Sequence, residues 1–143
     1  HSFPTRRSSD LSIATAPCRF RVRADRPMAT ARDAGMRAEE LALAFLERQG
    51  LVLERRNFRC RMGEIDLIMR DGETLVFVEV RLRARGSFAS AAESIDFRKQ
   101  RRIITAARFY LSGRAERPCR FDCILFDRVA PDAATWIKSA FDA

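Results

Sequence analysis

Three carboxylates fall close together in two short runs, GEIDLIMR (residues 63–70) and LVFVEVRLR (residues 75–83), which flank Asp71-Gly72. Asp-Gly between two such runs is a strong hairpin signal. A two-residue turn at Asp71-Gly72 pairs Arg70 with Glu73, Asp66 with Phe77 and Glu64 with Glu79. Glu64, Asp66, Ile68, Leu75, Phe77, Glu79 and Arg81 then share one face, because opposed residues of a hairpin point the same way. Ile65, Leu67, Met69, Val76, Val78 and Val80 form the other, wholly apolar face. In this register Asp66 and Glu79 are diagonal neighbours, roughly 7–8 Å apart at Cα, near enough to share a cation. Like charges so placed raise each other's pKa unless a positive charge stands between them. Two answers are open from spacing alone: a bound metal ion, or a salt bridge to Arg81.

Other chemistries are removed by composition. The one histidine is His1, in a segment outside the folded part, so Ser-His-Asp, Cys-His and His-ligated metal chemistry are excluded. Cys60, Cys119 and Cys123 make no C-x-x-C pair and fit neither a zinc site nor a disulfide framework. Cys119 and Cys123 read as small core residues of a strand, and without a disulfide framework the reducing cytoplasm is the default compartment expected. Apolar residues make up 47%, which excludes disorder as the main state, while no apolar run approaches bilayer-spanning length.

The elements that must position the carboxylates alternate along the chain. Ala38, Leu41, Ala42, Phe45 and Leu46 recur at helical spacing after Asp33, and Gly50 supplies the stop. Residues 51–60 (LVLERRNFRC) are extended. The hairpin follows, then a loop over residues 85–91. A second helix carries Ile103, Ala106, Ala107, Tyr110 and Leu111 inward and arginines outward. RFDCILFD (residues 120–127) is a further strand, and TWIKSAF a short closing element.

Residues 1–27 are read as a tail outside the fold, either disordered or adapter-derived, since HSFPTRRSSDL resembles the conceptual translation of a sequencing adapter. The domain is then residues 28–143, and the native start is expected between residue 12 and Met28, with residues 12–27 readable as upstream untranslated sequence or as a native tail. The 143-residue chain carries a net charge of +8, divided equally between tail and domain, and all its basic residues except Lys99 and Lys138 are arginines. Within the domain the charge is concentrated. From Arg81 to Arg108 eight basic residues face only Glu93 and Asp96, a net +6 directly after the acidic hairpin. Arg59, Arg61, Arg83, Arg85, Arg98, Arg101 and Arg102 are candidates for holding a phosphodiester backbone, since phosphate contacts supply most sequence-independent affinity. Each is equally readable, taken singly, as part of a solvated face.

RAEELALAFLERQG, NFRCRMGEIDLIMRDGETLVFVEVRLR, RKQRRIITAARFYL and CRFD, in this order, resemble the YraN-like group of small bacterial proteins. That group is similar to archaeal Holliday-junction resolvases and lies within the PD-(D/E)xK nuclease superfamily. The resemblance implies an α/β restriction-endonuclease-like core, ordered helix, three strands, helix and strand, with a mixed central sheet flanked by helices. It makes Asp66 and Glu79 the metal-binding acids of a Mg²⁺- or Mn²⁺-dependent, structure-selective endonuclease acting on DNA, with recognition expected by backbone shape or branched structure because nothing resembles a base-reading element. Glu39 matches the acid that the resolvase-like branch carries on its first helix, and Gln100 a glutamine that some branches place after the motif. Junction-resolving relatives act as dimers, so a homodimer is also implied. Arg81 occupies the motif's lysine position, where arginine clamps a phosphate but does not shuttle protons. Lys99, on the edge of the second helix's inward stripe, is read either as having taken over the lysine role or as a surface residue. The alternatives to an active nuclease are a catalytically silent nucleic-acid binder with the same fold, or an interaction protein that no longer binds nucleic acid.

Overall fold

The computed structural model describes residues 30–83 and 95–143. The expected tail (residues 1–27), the start expected between residue 12 and Met28, and Arg85 lie outside these residues.

A helix, α1 (Ala31–Arg48), opens the described chain. Thr30 caps it reciprocally with Asp33: the Asp33 N–H donates to the Thr30 hydroxyl, and the Thr30 N–H donates to the Asp33 carboxylate. Gly50, at φ +92°, turns the chain out of it. Three antiparallel strands follow, β1 (Val52–Cys60), β2 (Gly63–Asp71) and β3 (Thr74–Leu82). A second helix, α2 (Phe97–Leu111), crosses over to β4 (Cys119–Phe126), which pairs parallel to β3. The closing element is a fifth strand, β5 (Ala134–Phe141), antiparallel to β4 and preceded by a 3₁₀ turn at Pro131–Ala133. The sheet order is β1-β2-β3-β4-β5, which makes β3 the central strand. This is the mixed α/β sheet of a restriction-endonuclease-like core.

Each helix covers one face of the sheet. Ala38, Ala42 and Leu46 of α1 bury Leu67, Met69, Val76, Val78 and Ile124. Ile103, Ala106, Ala107 and Tyr110 of α2 bury Ile68, Leu75, Phe77, Phe121 and Cys123. Both helices owe their stability mainly to these apolar stripes, since isolated helices of this length are marginal in water. Cys123 is buried as expected, but Cys119, at the first position of β4, is exposed.

The hairpin register differs from expectation by two residues. Asp71 pairs with Thr74, Arg70 with Leu75 and Ile68 with Phe77, so Gly72 and Glu73 form the turn. Gly72 adopts φ +60° and Glu73 does not share the positive φ, the pattern of a turn that requires glycine at its first central position. A shift of two preserves which residues share a face. Ile65 is the exception. It belongs to the α2-side cluster with Phe58, whereas Leu67 belongs to the α1 side. The strict alternation breaks between Ile65 and Leu67, where the β2–β3 ladder ends, and on β1 the residue before Ile65's partner Phe58 is Asn57, with a left-handed φ of 49°.

Candidate active site

The β2–β3 ladder is regular from the turn to Leu67 and Val78. One residue further on, the Asp66 side chain takes the place of a backbone acceptor: the Val80 N–H donates to Asp66 Oδ2 at 2.9 Å. The register would set Asp66 opposite Glu79, closer than the diagonal placement expected from sequence. Asp66 is thus fastened to the backbone of the strand that carries Glu79. Glu79 is itself 4% exposed, on the central strand.

The electrostatics follow from this burial. Glu79 is pushed up to about 8, first by desolvation and then by the negative charge of Asp66; Lys99 and Arg81 oppose the rise without cancelling it. Asp66 is also raised by desolvation, against the lowering effect of its Val80 hydrogen bond. The two groups titrate as a pair. Glu79 Oε2 is buried and no donor among the described residues reaches it, so the hydrogen bond between Glu79 and Asp66 runs through the proton that Glu79 retains.

Lys99 enters from the other direction. Its Nζ lies 3.5 Å from Glu79 Oε1, and its side chain is 27% exposed. Three features hold it there. Asp96 caps α2, accepting a hydrogen bond from the Lys99 N–H at 2.7 Å. Gln100 Nε2 donates to the Ile95 carbonyl at 3.0 Å, tying the first turn of α2 to the residue that leads into it. Gly63, at the start of β2, lets the strand approach the helix backbone: a Cβ there would stand 2.7 Å from the Arg102 carbonyl oxygen. Sequence reasoning assigned Gly63 no role, although a glycine opening an apolar strand is a signal of close approach.

The other candidates are placed as follows. Glu39 is half-buried on α1 and raised by desolvation, then by the charge of Asp66; a hydrogen bond with Asn57 opposes this. It therefore borders the pair on the α1 side. Glu64 turns outward to Arg59 at 3.4 Å, both well exposed, a pair of little energetic weight. Arg81 is half-buried beside Glu79, and its charge lowers the Glu79 pKa. Arg83 meets Asp127 at 3.5 Å, and Arg61 is exposed. Arg98, Arg101 and Arg102 line one groove with Met62, Phe97 and Thr105.

Among the described residues no three His, Cys, Asp or Glu side chains converge to enclose a metal ion. Asp66 and Glu79 converge as two. That fits a hard cation of the Mg²⁺ type, which keeps several waters and takes one or two carboxylates plus substrate phosphate. The buried Glu79 Oε2, which no donor among the described residues reaches, is an atom such a cation would satisfy in place of the proton.

A residue missed from sequence is Asp122 on β4, which is fully buried. Arg120 Nε donates to it at 3.1 Å, Trp136 Nε1 at 3.0 Å and the Ser139 N–H at 3.0 Å, while Arg120 also reaches Asp71 at 2.9 Å. Ser139 has φ 51°, and the β4–β5 register shifts between Phe121 and Cys123, so β5 bends around this carboxylate. An aspartate within an apolar strand, in CRFD, was the available signal.

A five-stranded mixed sheet with one helix on each face, and a carboxylate pair where β2 and β3 part, define a protein of the restriction-endonuclease-like architecture. The sequence profile of Uncharacterised protein family UPF0102 matches residues 38–126. A UPF0102 protein of Nitrosospira multiformis is 54% identical over 114 residues, 79% of this chain and 96% of the relative. One from Pseudomonas savastanoi pv. phaseolicola is 48% identical over 122 residues, 82% and 99% of the two chains. One from Pseudomonas aeruginosa is 48% identical over 120 residues, 80% and 96%. The chain belongs to the UPF0102, or YraN-like, family. Among the described residues no helix is long and apolar enough to cross a membrane.

Proposed function

We propose that the protein binds nucleic acid and hydrolyses DNA phosphodiesters, with Mg²⁺ or Mn²⁺ held by Asp66 and Glu79. The observation that carries this reading is Glu79 Oε2, buried next to a second carboxylate and reached by no donor among the described residues. When bound, the cation would lower the pKa of a water and stabilise charge on the phosphate oxygens.

The chain's own groups divide the remaining work. The Val80 N–H fixes Asp66, so that this carboxylate is oriented before any ligand arrives. The Lys99 ammonium holds Glu79 Oε1 and has further N–H donors for a water or a phosphate oxygen. Lys99 would thus supply from a helix what the motif lysine supplies from the strand. Arg81, fixed in charge, would neutralise the phosphate. Glu39 borders Asp66 as a third acid. The arginines of α2 would hold the backbone on one side of the pair. The reading keeps the cytoplasm as the compartment, DNA as the partner, and the homodimer that the resolvase resemblance implies.

A second reading, nucleic-acid binding without cleavage, is favoured by arginine at position 81. Incubation with branched and linear DNA in Mg²⁺ or Mn²⁺ separates the two. Cleavage by the wild type that disappears in Asp66→Ala supports the nuclease. Binding with no cleavage under either cation supports the silent protein, and cleavage that survives Asp66→Ala comes from a contaminant.

A further inference from the structure

Phe97 is the first residue of α2 and is 71% exposed. It sits in a groove of about 360 Å³ with Met62, itself exposed, and with Arg98, Arg101, Arg102 and Thr105. That volume is at the lower end of those that hold small ligands. The Arg101 guanidinium lies 5.8 Å from the centroid of the Phe97 ring. Among the described residues that line the groove there is no carboxylate.

Helical phase relates this groove to the carboxylate pair. At about 100° per residue, the order around the first turns of α2 is Phe97, Arg101, Arg98, Arg102 and then Lys99. Lys99 ends that arc against Glu79. A cationic path therefore runs around the helix from an exposed aromatic ring to the candidate active site.

We propose that Phe97 is a stacking platform for an unpaired base, and that the groove favours nucleic acid with single-stranded nucleotides over intact duplex. This rests on the nucleic-acid reading above and narrows its substrate class. The chemistry selects this occupant. Three guanidinium groups, with no acid among the described lining residues, call for a polyanion. A duplex offers phosphates but keeps its base faces stacked, leaving Phe97 and Met62 uncovered. A strand with unpaired bases offers a phosphate backbone to the arginines and an open π-face to the ring, the combination on which single-strand binding relies. Recognition of this kind is tolerant of sequence, because every base has a π-face.

The test is fluorescence anisotropy with labelled single-stranded and fully duplex DNA of equal length, at one salt concentration and in chelator, so that cleavage does not enter. The wild type is expected to bind the single strand more tightly. Phe97→Ala should weaken single-strand binding by about tenfold and duplex binding by much less, as removal of a stacking platform does. Phe97→Tyr should retain affinity. A 2-aminopurine base in the strand should be quenched by the wild type and not by Phe97→Ala. Phe109, exposed on the same helix but packed near Phe58 and outside the groove, is the control: Phe109→Ala should bind as the wild type does. Unchanged single-strand binding in Phe97→Ala, an equal loss on duplex, or an equal loss in Phe109→Ala overturns this inference alone. Failure of the wild type to bind either DNA overturns it together with the nucleic-acid reading.

Discussion

Lys99 Nζ stands 3.5 Å from Glu79 Oε1, so an ammonium at the start of the crossover helix meets a buried carboxylate of the central strand. A cation at this place cannot be exchanged for Arg81 without consequence, because the two approach Glu79 from different elements and differ in chemistry. Lys99→Met is therefore expected to lower single-turnover cleavage by about 10²-fold, a usual cost for losing one positioned donor or proton-transfer group. Arg81→Met should cost less. The reverse order would return the lysine role to the strand position.

Glu79 also makes stability depend on pH. Its folded pKa of about 8 lies above the ordinary 4.5, so between these values the folded chain holds a proton that the unfolded chain has released. The contribution is fully present below pH 4.5 and is lost as pH rises through about 8. In chelator, the melting temperature of the wild type relative to Glu79→Gln should fall across that window and level off above it. Parallel curves for the two proteins would contradict the raised pKa.

Gly63 sets how near α2 can come to the hairpin. In Gly63→Ala the added methyl would meet the Arg102 carbonyl oxygen at 2.7 Å, and that oxygen belongs to the helix backbone and cannot swing aside. We expect a loss of about 1–3 kcal/mol in denaturant unfolding, the usual range for overpacking. The displaced helix should also lower cleavage. A variant as stable and as active as the wild type would show that the helix shifts freely.

Asp122 carries a structural prediction independent of function. Asp122→Ala leaves Arg120 without one of its two carboxylates and the Trp136 and Ser139 N–H groups without their acceptor. Breaking a buried pair in this way costs about 3–5 kcal/mol. Urea denaturation should show it, with Asp122→Asn losing less; a loss below 1 kcal/mol would mean that β5 does not depend on this carboxylate.

The parts of this arrangement that were legible in the sequence are those carried by local periodicity. The stripes of α1 and α2 were readable because burial repeats at helical spacing. The shared face of Asp66 and Glu79 survived an error in the turn because a two-residue slip preserves side-chain parity. The turn itself was misplaced because Asp71-Gly72 matches one hairpin signature while Gly72-Glu73 satisfies another, with glycine first. Ile65 was assigned to the wrong face because the alternation breaks where the β2–β3 ladder ends at Leu67, and a period-2 pattern read along the strand assumes that the ladder continues. The Lys99–Glu79 contact depends on how closely a helix docks on a sheet, which is set by Gly63 and by the Asp96 cap together. No spacing rule reports that distance. The closing strand was left as an unassigned element because β5 bends around Asp122, and the bend interrupts its alternation.

The most direct test of the central claim, that Asp66 and Glu79 form a cation-holding pair, is calorimetric titration of the protein with Mn²⁺ near pH 7 in two buffers of different ionisation enthalpy. Glu79, with a pKa of about 8, must give up its proton to take a cation, so binding should release roughly one proton per metal. Glu79→Gln and Asp66→Asn should each abolish the binding heat. Binding of equal strength in those variants, or none in the wild type, would contradict the account.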